Sequence, residues 1–286
     1  MRSARIELKS GASARGLEAA VRPGAPVVAV KLGGRACETP QALHELAAEI
    51  ATFAGRLVLV HGGGAEVTAW CERLGLASQF ADGLRVTDAA TLEVATAVLA
   101  GLANKRLVAT LRAADVDAVG LSALDGDLIE TVRHPDAARL GEVGAVRAVH
   151  PALLLQLLSH GRVPVVASIG ATQGALLNLN ADDVAAALAA GVRAETLVLL
   201  SDTPGVIAEG RTIETLDPDS LAAALDGPDV KGGMRAKLHA ARAALAGGVP
   251  RVRIGAWAGA GTLAALIAGH GPCTTVTDAA PTGELA

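Results

Sequence analysis

A chain of 286 residues, 51% hydrophobic and 19% charged, has the composition of a folded globular protein and is long enough to bury a substantial core. Its net charge of -4, with 1% aromatics and no tyrosine, argues against a nucleic-acid partner, which would call for a basic face or stacking platforms. Cys37, Cys71 and Cys273 are too widely spaced for a metal-ligand set or a disulfide framework, and no uninterrupted apolar run reaches the ~18 residues of a membrane span, so a cytoplasmic setting without membrane is expected.

Residues 1–26, broken by Ser10, Gly11, Gly16, Pro23, Gly24 and Pro26, read as a solvated arm or as an arm touching a second subunit. The apolar, β-branched run from Val27 to Val30 then reads as a buried strand, ending in Lys31 and the pair Gly33-Gly34. Open α/β sheets bind ligands at the carboxyl ends of their strands, where glycine admits a bulky anion and lysine supplies positive charge. A helical spacing follows over 41–53, and then a second strand over 56–60 runs into His61-Gly62-Gly63-Gly64 and a helix over 65–74. Strand, glycine loop and helix N-terminus together suit a phosphate, although tight turns use the same glycines.

Thr87 or Asp88 is placed to N-cap a long helix over 89–114, and Arg85 just before it is placed to grip a carboxylate. Further on, a strand over 118–122, a ribbon of 128–132 with 143–149, a helix over 152–160 and a strand over 163–168 are expected. Residues 170–174 read as a small-residue loop. Asn178 and Asn180 alternate with leucines, which puts their amides on one face of an extended piece, and Asn180 or Asp182 caps an alanine-rich helix to 190. A strand over 196–200 ends in the polar turn Ser201-Asp202-Thr203-Pro204-Gly205-Val206. A short helix over 217–225 precedes a second glycine pair, Gly232-Gly233, which opens a helix to 246 with Lys237 one turn in. A strand over 252–254, a helix over 262–268 and a strand over 274–277 close the chain. This alternation predicts an α/β fold: an open, mainly parallel sheet sandwiched by helices, in two lobes of residues 27–175 and 176–286.

No G-x-x-x-x-G-K-[ST] is present, and Val67 stands where G-x-G-x-x-G needs its third glycine, so neither a P-loop nor a dinucleotide fold is indicated. Six ordered stretches remain: Val30–Gly34, Val60–Gly64, Gly83–Asp88, Asn178–Asp182, Ser201–Val206, and Gly232–Met234 with Lys237. Together they resemble the amino acid kinase family over about residues 27–277, and the second pair of three, Gly83–Asp88 and Asn178–Asp182, resembles its branch acting on N-acetyl-L-glutamate.

The resemblance implies phosphoryl transfer from ATP, with Mg²⁺, to the side-chain carboxylate of N-acetyl-L-glutamate in arginine biosynthesis, in a homodimer or hexamer. It places Lys31 on the transferring phosphoryl group with Gly33 and Gly34 along its path, and the N–H groups of Gly63 and Gly64 on the reacting carboxylate and phosphoryl oxygens. Arg85 would hold the α-carboxylate, Asn178 and Asn180 the acylated amino acid, and Lys237 the leaving phosphates. Asp182 would orient both lysines, and Ser201, Asp202 and Gly205 belong to the implied nucleotide loop, with no protein metal-ligand set. Such residues fit the chemistry: a carboxylate is already a nucleophile, so the task is to gather anions and disperse charge along an in-line transition state.

Four departures stand out. The usual tyrosine before Asn178 is Leu177, which would alter substrate preference; Arg35 follows the glycine pair; the arm is long; and Ile254–Gly259 replaces an Asp-Gly-Arg signature, as in arginine-insensitive relatives. A kinase for a longer, aminoadipate-type diacid, a catalytically silent sensor and a partner-binding protein are the competing readings; retention of Lys31, Asp182 and Lys237 argues against the silent one.

Overall fold

A computed structural model describes residues 25–33, 36, 39–228 and 230–278. Most of the expected arm, and Gly34, Arg35 and Cys37, lie outside these described residues. β1 (Val27–Leu32) leads to α1 (Pro40–Ala51), β2 (Arg56–His61) and α2 (Gly64–Arg73). A hairpin of β3 (Gln79–Ala81) and β4 (Leu84–Val86) precedes one long helical segment made of α3 (Ala89–Thr96), a π-helical stretch (Ala97–Ala103) and α4 (Asn104–Ala113). Then come β5 (Ala118–Ser122), the ribbon β6 (Ile129–Arg133) with α5 (Ala137–Leu140) and β7 (Gly144–Val149), α6 (Ala152–Ser159) and β8 (Val163–Ala167). The hairpin β9 (Ile169–Thr172) and β10 (Ala175–Asn178) enters α7 (Ala181–Gly191) and β11 (Thr196–Ser201). The short β12 (Ile207–Ala208), β13 (Arg211–Thr212) and β14 (Thr215–Leu216) follow, then α8 (Pro218–Asp226), α9 (Gly232–Ala246), β15 (Arg251–Ala256), α10 (Thr262–Ala268) and β16 (Thr274–Thr277).

Eight strands make one sheet in the order β14-β16-β15-β11-β1-β2-β8-β5, parallel throughout except between β15 and β16. β1 is central. From β1 the chain steps outward to β2, and from its other neighbour, β11, it steps the opposite way to β15, so the switch point of the sheet lies between β1 and β11. The strands are buried on both faces, which is why they read as unbroken apolar runs.

Strand periodicity sorts the core. Val27, Ala29, Val58, Val60, Leu197 and Leu199 face one layer with α7 and α9, whereas Val28, Val30, Leu32, Leu57, Leu59 and Leu200 face the other with α1 and α4. Lys31 has the parity of Ala29 and therefore leaves the sheet toward α7 and α9. Their facing sides are alanine-rich (Ala185, Ala186 and Ala189 against Ala240, Ala241 and Ala244), which lets the two helices pack closely.

One expectation changes. The loop over 170–174 is the tip of the β9–β10 hairpin, whose turn residues Gln173 (φ 48) and Gly174 (φ 80) have the paired positive φ of a two-residue hairpin turn; small residues concealed a strand pair. Arg85, just ahead of α3 as expected, lies within β4. The helical segment Ala89–Ala113 is 25 residues long and holds an 18-residue window of mean hydropathy 1.3, enough by length and composition to cross a membrane, although no unbroken apolar run signals it. Here Val94, Leu99, Leu107 and Leu111 are buried in the fold, the placement of a core helix.

Candidate active site

A cleft of about 710 Å³ opens at the carboxyl ends of β1 and β2. Lys31, Gly33, Gly63, Gly64 and Asp202 line it, so the two glycine loops and the polar turn after β11 meet there. Lys31 Nζ stands 3.1 Å from Asp182 Oδ1, and Lys237 Nζ donates to Asp182 Oδ2 at 3.1 Å. Three chain segments contribute these groups: the end of β1, the first turn of α7 and the second turn of α9. Burial alone would raise the Asp182 carboxyl, but Lys31 and then Lys237 outweigh it, and it stays below the ordinary carboxylate value. Burial also pulls the Lys237 ammonium below its ordinary value, against the pull of Asp182. One carboxylate thus spaces two ammonium groups that would otherwise repel each other.

Asn180 is the N-cap of α7, its Oδ1 accepting the N–H of Asp182 at 2.8 Å; that cap fixes the backbone that carries Asp182. Gly63 is the N-cap of α2 and Gly64 its first helical residue, so both line the cleft where a helix start presents N–H groups. Asn178 Nδ2 donates to Thr87 Oγ1 at 3.1 Å, joining the β10 end to the segment after β4; of the two expected caps, Asp88 holds α3 by accepting the Thr91 N–H. Ser201 is buried at the end of β11, and the Thr203 hydroxyl bonds to the Gly205 carbonyl at 3.1 Å, which shapes the polar turn.

Arg85 is buried and committed. Its Nη2 donates to Gly64 O at 2.6 Å and Thr68 Oγ1 at 2.8 Å, its Nη1 donates to Ser78 Oγ at 2.9 Å, and its guanidinium lies over the Phe80 ring. It therefore ties the β3–β4 hairpin to the start of α2 next to the cleft. The hairpin turn, Asp82 (φ 52) and Gly83 (φ 83), reaches the start of α9: a Cβ on Gly83 would lie 3.0 Å from the Gly232 carbonyl carbon, so only glycine allows this approach.

Two groups had no assigned part in the sequence reading. His61, a cleft-lining residue, is held by Asn104, and Arg106 on α4 grips Glu66 in the first turn of α2 with two bonds of 3.1 and 2.6 Å. Nothing in local sequence pairs positions 61 and 104; only the packing of the long helical segment on β2 does.

The sequence profile of the amino acid kinase family matches residues 26–256. The acetylglutamate kinase of Chloroflexus aurantiacus is 43% identical over 228 residues, covering 79% of this chain and 90% of that protein. The acetylglutamate kinase of a Synechococcus species is 41% identical over 236 residues, covering 80% and 75%. Among solved structures, N-acetylglutamate synthase from Neisseria gonorrhoeae, complexed with coenzyme A and N-acetyl-glutamate, superposes with a TM-score of 0.77 at 27% identity, over 94% of this chain and 64% of that one. With the clamp, Gly33, the Gly63–Gly64 helix start and the cleft in place, this chain belongs to the amino acid kinase family.

Proposed function

We propose that this chain transfers the γ-phosphoryl group of ATP to the side-chain carboxylate of N-acetyl-L-glutamate, forming an acyl phosphate in arginine biosynthesis. The observation that carries the reading is the Lys31–Asp182–Lys237 clamp beside the Gly63 and Gly64 helix start. The two lysines are set to neutralise charge on the phosphoryl group and on the leaving phosphates. Backbone N–H groups of the glycine loops receive the equatorial oxygens, and Asp182 keeps both ammonium groups in line. Arg85 and Asn178 supply the acyl amino acid side, reached from the β3–β4 hairpin, and Asp202 with the Ser201–Gly205 turn supplies the nucleotide side. On this reading residues 27–175, joined by Asn178, bind the acylated amino acid and the rest of 176–286 the nucleotide, the boundary in the sheet falling between β1 and β11.

Among the described residues no cluster of three His, Cys, Asp or Glu side chains could hold a metal ion. On the proposed function Mg²⁺ would be carried on the nucleotide phosphates and water, where it would neutralise phosphate charge. The chain acts as a homodimer on the same reading, with β5 as an open sheet edge.

A coupled assay for ADP release, run with Mg-ATP and with or without acetylglutamate, tests the activity. Acetylglutamate-dependent turnover is expected. Turnover only with a longer acylated diacid overturns the substrate. A melting temperature unmoved by saturating Mg-ATP overturns the kinase reading altogether.

A further inference from the structure

The inference rests on the proposed role of the Gly63 N–H in receiving a phosphoryl or carboxylate oxygen. His61 closes β2 with the parity of Leu57 and Leu59, so its ring enters the layer that holds α4. It is almost fully buried. Its Nδ1 lies 2.9 Å from the Gly62 carbonyl oxygen, and its Nε2 lies 3.0 Å from Asn104 Nδ2. Asn104 is completely buried, and its Nδ2 also meets the Val165 carbonyl at 2.9 Å and the Leu121 carbonyl at 3.3 Å.

Carbonyl groups at both ends remove the ambiguity in this chain. An oxygen of a carbonyl only accepts, so Val165 and Leu121 require the amide nitrogen of Asn104 to face them, and Gly62 requires an N–H on His61 Nδ1. The remaining nitrogen, Nε2, then accepts one N–H of Asn104, and the other N–H is shared between the Val165 carbonyl at 2.9 Å and the longer Leu121 contact at 3.3 Å. The ring is held neutral in a single tautomer, and burial pushes its pKa down in the same direction. In a trans peptide the C=O and the following N–H point opposite ways, so holding the Gly62 carbonyl against His61 turns the Gly63 N–H away from it.

The neighbouring helix is built for this contact. The wider turn of the π-helical stretch, with its i→i+5 bonds, brings Leu99 and Asn104 nearer to one side than an α-helix, in which they would diverge by about 140°. Leu99 fills the space above Gly63, where a Cβ would lie 2.8 Å from Leu99 Cδ2. On β5, a Cβ at Gly120 would overlap Asn104 Oδ1, so that glycine makes room for the amide.

We propose that Asn104 is a positioning residue for the reaction: through the His61 tautomer and the Gly62 carbonyl it sets the direction of the Gly63 N–H. Without Asn104 the ring is free to carry its proton on Nε2, which turns a lone pair of Nδ1 toward the Gly62 carbonyl and releases the loop.

The test compares Asn104→Ala and His61→Phe with wild type, varying acetylglutamate and Mg-ATP separately. Both variants are expected to lose about 10-fold or more in kcat with KM values little changed, as for a misaimed oxyanion donor. In Asn104→Ala alone, kcat should recover as pH falls through the His61 pKa, because a doubly protonated ring again donates from Nδ1. Wild-type kcat in a folded Asn104→Ala, or loss with no recovery at low pH, overturns the relay. If Asn104→Ala does not fold, His61→Phe decides, since Asn104 keeps its two carbonyl partners, and wild-type kcat there overturns it equally. The ¹⁵N shifts of His61 in wild type, expected to show Nδ1–H at neutral pH, are read without substrate; an Nε2–H or charged ring overturns the proposal. Absence of any wild-type turnover on acetylglutamate counts against the proposed substrate and leaves the tautomer measurement standing.

Discussion

Lys31 and Lys237 approach opposite oxygens of the same Asp182 carboxylate, each at 3.1 Å, although the two lysines are more than two hundred positions apart in sequence. Neither would sit there unaided, because two buried ammonium groups repel each other. Asp182→Asn removes the charge and leaves one face of the amide donating toward a cation. It should lower kcat by about 100-fold or more and destabilise the fold by about 3–5 kcal/mol, the cost of stripping one partner from a buried ion set. Initial rates and urea denaturation measure the two effects, and a stable, fully active Asp182→Asn enzyme would remove the clamp from the mechanism. Lys31→Ala and Lys237→Ala should each cost about 100-fold in kcat with smaller losses of stability, since Asp182 keeps one counter-ion.

Arg85→Lys keeps the charge and loses the fork. In this structure the fork holds Gly64 O, Thr68 and Ser78, and on the proposed function it also grips the substrate carboxylate, so the substitution should act twice. KM for acetylglutamate is expected to rise about 10-fold through the weaker grip on the carboxylate, and kcat to fall because the start of α2 is released. Initial rates at saturating Mg-ATP separate the two. An unchanged KM would confine Arg85 to bracing the hairpin.

Much of this was legible before any coordinates. The strands showed as apolar runs because parallel strands are buried on both faces, and the glycine loops showed because few residues tolerate such close approach to an anion. The two lysines stand close to glycine pairs in sequence, and Asp182 stands in the Asn178–Asp182 stretch. What stayed hidden was non-local. The β9–β10 hairpin has too few β-formers to signal itself, and its turn is Gln-Gly rather than Asn-Gly. Arg85 was read as a free carboxylate grip, yet its guanidinium is shared among three partners that its own sequence neighbourhood does not reveal. Asn104 carries no local signal within its helical run, and only its packing against β2, β5 and β8 reveals its partners.

Leu177 is fully buried on β10, so a changed substrate preference does not follow from its replacing tyrosine. Leu177→Ala should cost about 2–5 kcal/mol of stability, as for other large-to-small changes at buried leucines, while KM for acetylglutamate stays near wild type. Denaturant midpoints and KM report on both. A large change in KM without loss of stability would return Leu177 to the substrate pocket.

The His61 environment carries its own pH signature. Its pKa lies below the ordinary 6.5, chiefly because burial disfavours the charged ring. As pH falls below 6.5 the unfolded chain takes up a proton at this histidine and the folded one does not, until its own lower pKa is reached. The unfolded state therefore binds more protons in that window, and folding stability falls with falling pH, by at most about 1.4 kcal/mol per pH unit. His61→Phe has no such group, so the stability difference between wild type and the variant should shift toward the variant as pH drops from about 7.5 to 5, while at higher pH it stays constant. Urea midpoints across that range measure it. A difference independent of pH would mean that His61 gains its proton as readily in the fold as in the unfolded chain, and the Asn104 N–H would then not be what faces its ring.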